Sequence, residues 1–329
     1  MSPLPRSVAG VGRRAVDALP DGVRRRVRAA LGRPLARQVT LDRLDAELAV
    51  AADLFERSED EARRFLDGFE LAVPPGAPTD PFSDAYRQWT WDVYERISGR
   101  TGYSVANEHS PFDYEQALVR PFPYQTGSAA VVGDDLVARG HLVRCLGDPA
   151  LGLTPPARVV EFGPGWGNLT VDLAATGFAV TAVEVDAGFA DLVRSRCPVG
   201  ADLSVEVADM LEFEPSEPFD AVVFFESFHH CADHLAMLRR LHRIVRPGGV
   251  MLFASEPVQQ MPYPWGPRLD GQSLWSTRTH GWLELGFDTA YFDHALARTG
   301  WEGARRPAGP GYGAADVIVV RARDERADR

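Results

Sequence analysis

Lysine is absent from this chain: all 35 basic side chains among its 329 residues are arginine. Cysteine is scarce, limited to Cys145, Cys197 and Cys231. These are odd in number, far apart and without a CxxC pair, so neither a disulfide framework nor a structural zinc is supported. No run of about 18 apolar residues occurs, so no membrane-spanning helix is expected. Arg13, Arg14 and Asp17 break the N-terminal apolar stretch, so no signal peptide is expected and a reducing cytoplasm fits. The arginine bias, with abundant Ala, Gly, Pro and Val, resembles the output of a GC-rich bacterial genome.

The net charge of −11 is unevenly placed. Residues 1–37 carry nine Arg against two Asp, or +7; the remainder carries 26 Arg against 44 acids, or −18. An acidic body does not suit a polyanion, so no nucleic-acid partner is expected. The basic arm is expected to be solvated and partly disordered, with weak peripheral attachment to a membrane surface or acidic partner as its functional alternative.

What is present is helical periodicity, then alternation. Apolar residues from Leu41 to Phe69 recur every three to four positions, predicting helices over 41–56 and 59–69, with Ser58 capping the second. Residues 72–82 hold four prolines and read as a linker, and a third helix over 84–97 carries Tyr86, Trp89, Trp91 and Tyr94. Residues 38–126 therefore read as a helical and aromatic cap region. Over 127–323, after a helix at 127–146, strands at 158–162, 179–184, 204–208, 220–225, 250–254 and 316–321 alternate with helices at 168–176, 187–196, 234–244 and 289–299; a short tail, 324–329, remains. This pattern predicts an α/β fold with a doubly wound, mostly parallel sheet, whose ligand sits at the carboxyl ends of the strands.

One stretch stands out. In Arg158-Val-Val-Glu-Phe-Gly-Pro-Gly-Trp-Gly-Asn-Leu-Thr170 a strand runs through a glycine turn into a helix N-terminus, where backbone can approach a ligand closely. Glu161 would repel a pyrophosphate but suits an ammonium or a sulfonium. A dinucleotide fingerprint needs a third glycine at position 168, which is Asn168.

The segment Glu161-Phe-Gly-Pro-Gly-Trp-Gly167 resembles motif I of the class I S-adenosylmethionine-dependent methyltransferases. The resemblance extends over 127–323 through Val183-Glu184, Ala208-Asp209, Phe219 to Glu226, and Arg246-Pro-Gly-Gly249. It implies a Rossmann-like seven-stranded sheet beneath a helical N-terminal cap, with S-adenosyl-L-methionine as methyl donor. It further implies cofactor contacts from Glu161, Gly163, Gly165, Gly167, Asn168, Glu184, Asp209, Met210 and Glu226, with Glu184 on the ribose diol and Asp209 and Met210 at the adenine.

A hydroxyl acceptor must lose its proton near the transition state, a task for a His or carboxylate in hydrogen-bond reach. His229 and His230 follow the fourth strand and are the candidate bases. His234, Glu226 and Asp233 raise the alternative of a divalent cation, but Asp233 reads as a helix cap and no metal is expected. The stretch 258–287 is long for a connection and mixes aromatic faces with planar polar groups, as a sugar-binding loop would. Tyr263, Trp265, Arg268, Asp270 and His280 within it, and Tyr124 outside it, are the acceptor-binding candidates; packing of the loop for stability is the alternative. Tyr263-Pro-Trp-Gly266, Gly281 to Phe287 and Pro121 to Gln125 are loosely similar to bacterial methyltransferases of surface-glycan pathways. The expected function is O-methylation of a sugar hydroxyl in a glycan or glycosylated metabolite. N- or C-methylation of a small metabolite and non-catalytic cofactor binding are the alternatives. The sequence leaves the oligomeric state open.

Overall fold

The computed structural model describes residues 36–109, 113–119, 128–309 and 313–323. The Arg-rich arm up to residue 35, Tyr124 and the tail from 324 lie outside them. Strand β1 (Arg37–Val39) leads into helices α1 (Leu41–Phe55) and α2 (Glu59–Leu66), strand β2 (Phe69–Leu71) and helix α3 (Asp84–Ser98). Ser58 caps α2 as expected, its hydroxyl accepting from Glu61 N–H. The helix ends at Leu66 rather than Phe69. The weak helix former Gly68 follows, and Phe69 pairs in parallel with Arg37 of β1.

A short helix α4 (Tyr114–Val119) and a long one, α5 (Ala129–Leu146), precede the alternating part. It runs β3 (Arg158–Phe162), α6 (Asn168–Ala175), β4 (Ala179–Glu184), α7 (Ala187–Ser195), β5 (Leu203–Val207), β6 (Phe219–Phe225), α8 (His234–Ile244) and β7 (Val245–Ala254). After β7 come β8 (Val258–Gln259), β9 (Trp265–Pro267), α9 (Gly271–His280), β10 (Leu285–Asp288), α10 (Thr289–Arg298), β11 (Trp301–Arg306) and β12 (Val317–Ala322).

The main sheet has seven strands in the order β11-β12-β7-β6-β3-β4-β5, parallel from β7 to β5, with β12 antiparallel to both β7 and β11. The chain leaves β3 towards β4 on one side and returns to β6 on the other. The crevice between the ends of these strands is where such sheets hold ligands. Strand β11 escapes the sequence pattern because only Trp301 is buried in it; a polar edge strand shows no alternation. Burial of Val160, Val222 and Leu252, all at 0% exposure, makes the inner strands read as continuous apolar runs.

The stretch expected to be a loop at 258–287 is folded. Its strands form a small sheet in the order β8-β10-β9, and Asp270 caps α9 by accepting from Ser273 N–H at 3.1 Å. This insertion docks on the N-terminal region. Tyr86 donates its hydroxyl hydrogen to Trp265 O at 2.8 Å, Tyr94 donates to Gly281 O at 2.5 Å, and Leu71 N–H donates to Leu269 O at 2.8 Å. A shared apolar cluster of Leu44, Leu48, Phe69, Tyr263 and Leu274 lies between them. Among the described residues no helix is long and apolar enough to cross a membrane.

Candidate active site

A cavity of about 700 Å³ opens at the carboxyl ends of β3, β4, β6 and β7. One half is walled by the glycine turn and the next two strand ends. Gly163 and Gly165 hold φ of 65° and 49°, where a side chain is strained; a Cβ on Gly163 would stand 2.8 Å from Ser227 Cβ. The Glu184 carboxylate, 5% exposed, is fixed by Gly165 N–H on one oxygen and Asp186 N–H on the other, both at 3.0 Å. Each oxygen keeps a lone pair, so the carboxylate can still accept two hydrogen bonds from a vicinal diol. Burial raises the Glu184 carboxyl despite these donors. Asp209 and Met210 stand at the same wall, with Asp209 Oδ1 accepting from Leu211 N–H at 2.8 Å.

The other half is walled by four separate segments. From the turn after β6 come His229 and His230. From the end of β7 comes Ser255, and the next residue, Glu256, lies buried behind the wall, its side chain only 1% exposed, accepting from the N–H groups of Ser227 and Phe228 at 2.8 Å and of His229 at 3.1 Å. Its Oε2 also lies 2.8 Å from His229 Nδ1. Burial would raise the Glu256 carboxyl, but the His229 imidazole and the backbone donors hold it below its ordinary value. His229 Nε2 looks the other way, 3.8 Å from Glu284 Oε2.

The N-terminal region supplies Tyr103 and Glu108. Glu108 Oε1 accepts from Tyr103 Oη–H and Leu283 N–H, both at 2.9 Å, and Oε2 stands 3.0 Å from His230 Nδ1. Burial disfavours a charged His230, but Glu108, followed by Glu284 and Glu256, outweighs it and raises the imidazole to about 9. The insertion supplies Arg268, Trp282 and Glu284; Arg268 Nη1 is 3.7 Å from Glu284 Oε2 and its Nε 3.0 Å from Asp270.

Several expected site residues lie elsewhere. Glu161 lines no part of the cavity; it is 1% exposed beneath the turn, accepts from Thr170 Oγ1–H at 2.6 Å, and burial lifts its carboxyl to about 7. Gly167 packs on Val193, and Asn168 accepts from Arg196 at 3.1 Å at the start of α6, away from the cavity. Glu226 does reach the wall, from a left-handed backbone with φ 51°, and burial raises it to about 7. Tyr263 and Trp265 are core residues: Tyr263 bonds Pro267 O, and Trp265 donates to Pro81 O at 2.9 Å. Asp270 is the cap of α9, and His280 stacks on Trp282 at 4.6 Å and does not line the cavity. His234 is buried against Tyr291 Oη at 2.6 Å, and burial drives it down to about 3. Among the described residues it belongs to no group of three possible metal ligands. Glu108 and Glu284 complete the wall and Glu256 lies buried against His229, and none stood out in the sequence as a site residue.

His229, His230 and Glu284 each place one donor atom within 4.8 Å of the others, a spacing that a divalent cation could bridge. Glu108 beside His230 and Arg268 beside Glu284 already balance two of these three without a metal.

Residues 160–253 match the family model described as a methyltransferase domain. Over these residues the chain is similar to that family, whose class I, S-adenosylmethionine-dependent members the glycine turn and the strand-end acids also resemble. The methyl donor of that family is S-adenosylmethionine, and the cavity fits it in three ways. Gly165 leaves open the space a Cβ would fill, buried carboxylates face a cationic ligand, and Ser227 Oγ, buried at the wall, has no hydrogen-bond partner among the described residues. Curated relatives include an uncharacterized methyltransferase of Anoxybacillus flavithermus, 33% identical over 30% of this chain and 46% of its own length. A ubiquinone biosynthesis O-methyltransferase of Xanthomonas campestris is 31% identical over 31% of this chain and 44% of its own. The chain thus spans less than half the length of these two relatives. Among solved structures, an S-adenosylmethionine-dependent methyltransferase from Mesorhizobium loti aligns with 58% of this chain and all of its own, at 18% identity and a TM-score of 0.44. A glycopeptide N-methyltransferase aligns with 57% of this chain and 88% of its own, at 18% identity and a TM-score of 0.41.

Proposed function

We propose that the chain is an S-adenosylmethionine-dependent methyltransferase that methylates a hydroxyl of a sugar or glycosylated metabolite, with His229 as general base. The observation that carries the substrate class is the charge pairing of the acceptor wall. Glu108 faces His230, Glu284 faces Arg268, and the Trp282 ring lines the cavity beside them. Paired donors and acceptors beside an aromatic ring suit a neutral ring with hydroxyls.

When bound, S-adenosylmethionine supplies an electrophilic methyl on a sulfonium. Gly163, Gly165, Glu184, Asp209 and Met210 hold it. His229 Nε2 takes the acceptor proton, and Arg268, Glu284 and Glu108 orient the ring. His230, held charged by Glu108, is a hydrogen-bond donor to the acceptor and not the base.

Incubation with labelled cofactor and a panel of glycosides tests this. A methyl ether located by NMR, lost in His229→Ala, is the expected result; label on nitrogen or carbon, or no turnover with any sugar, overturns it. The second reading is N-methylation of an amine. Its support is the group of carboxylates Glu108, Glu226 and Glu284 at the wall, which would attract an ammonium.

A further inference from the structure

Strands β6 and β7 run in parallel, with Phe225 opposite Ala254. The next residue on each strand, Glu226 and Ser255, is left-handed, with φ of 51° and 55°. These are the two non-glycine residues of positive φ among the described residues, and they sit side by side at the cavity rim. Such backbone persists only where the surroundings enforce it, and it gathers at functional sites. Here its effect is visible. The chain after Glu226 folds back so that three consecutive N–H groups, Ser227 to His229, converge on the carboxylate that follows Ser255.

That carboxylate is Glu256. A buried carboxylate is costly unless donors surround it. Three backbone donors would already satisfy a purely structural Glu256. The fourth partner is the His229 ring, at 2.8 Å through Nδ1. As a carboxylate only accepts, Nδ1 must carry the hydrogen, and the neutral ring then keeps its lone pair on Nε2. Nε2 is the nitrogen on the Glu284 side, at the cavity wall.

We propose that Glu256 is the positioning residue of this site: it fixes the Nδ1–H tautomer and the orientation of His229, so that a basic Nε2 faces the acceptor. The inference deepens the assignment of His229 as base and rests on it for its catalytic meaning. In the proton step the acceptor O–H bond breaks, its electron pair stays on oxygen, and the new N–H bond forms at Nε2. The imidazolium then carries both hydrogens, with Nδ1–H still held by ionised Glu256. The strained pair Glu226 and Ser255 is the scaffold of this arrangement.

Nitrogen-15 NMR of the His229 ring in the cofactor-free protein tests the tautomer without any turnover. The expected result is a protonated Nδ1, its hydrogen shifted far downfield, and an unprotonated Nε2 in the neutral ring. A wild-type ring protonated at Nε2 overturns the proposal whatever the variants do. Glu256→Gln should then lose the downfield signal and lower kcat by roughly 10- to 100-fold, with cofactor affinity kept. Glu256→Asp should recover part of both. Glu256→Gln with the wild-type tautomer and full kcat also overturns the proposal. His229→Ala reports separately: full turnover there removes the base assignment, while the ring NMR still decides what Glu256 does to His229.

Discussion

The half of the cavity walled by Gly163, Gly165, Glu184, Asp209 and Met210 comes from one contiguous stretch of chain, each residue at or just after a strand end. The acceptor half is assembled from Tyr103 and Glu108, the turn at 226–230, Ser255, and the insertion from Arg268 to Glu284, with Glu256 buried behind it. In the first half, side chains are held by backbone of neighbouring turns, as Glu184 is by Gly165 and Asp186. In the second, the ties run between distant segments, as Glu108 accepts from Leu283 N–H and stands beside His230, and as Glu256 accepts from the N–H groups of Ser227 to His229. The difference teaches that the proposed cofactor half follows from the sheet topology, whereas the proposed acceptor half depends on how the N-terminal region and the insertion dock.

The largest expected effect separates the halves outright. His229→Ala should lower kcat by roughly 10²- to 10⁴-fold, as loss of a general base does, while calorimetry shows cofactor affinity unchanged. Loss of cofactor binding in that variant would mean that the two halves are not separable.

Glu184→Ala should do the converse. Removing the carboxylate proposed to accept from the ribose diol should weaken S-adenosylmethionine by about 10- to 100-fold in the same titration. Binding at wild-type strength would place the ribose elsewhere.

A smaller effect should appear in stability. The His230 imidazole titrates near 6.5 when unfolded and near 9 when folded, so the folded state binds its proton more tightly. The resulting stabilisation is complete below about pH 6.5 and is lost as pH rises through 9. Glu108→Gln should flatten that decline and lower Tm by about 2–4 °C at neutral pH. Equal pH slopes in the two proteins would show that the tie between the N-terminal region and the turn at His230 does not depend on charge.

The smallest expected effect is none. Exhaustive chelation should leave turnover unchanged, because Glu108 and Arg268 already serve as partners to His230 and Glu284. Activity lost to a chelator and restored by a divalent cation would convert the acceptor half into a metal site and displace His229 as base.

The uneven legibility of the sequence follows the same division. Glu184 and Asp209 could be placed at the cavity because a strand end is a local feature, visible from an apolar run and the polar residue that stops it. Glu161 was placed by the same logic, yet strand alternation turns it away from the cavity and under the turn, against Thr170. Tyr263 and Trp265 fit an acceptor platform in composition but lie in the core. An aromatic side chain buries as well as it stacks, and only its neighbours decide which. Strand β11 was missed because five of its six side chains are at least partly exposed. Glu256 could not be paired with His229 from 27 residues away, since that contact exists only once β6 and β7 lie side by side.

The sequence alone determined the alternation of strands and helices, the glycine turn after β3, the acids closing β4 and β5, and two histidines after β6, because each is written in a short window by local propensity and periodicity. The tertiary structure decided which histidine has a free nitrogen at the cavity, which carboxylates stand opposite each cation, and that a supposed loop is a folded insertion docked on the N-terminal helices. Those outcomes depend on contacts between residues far apart in the chain, where burial and the direction of a single hydrogen bond, rather than residue type, set the chemistry.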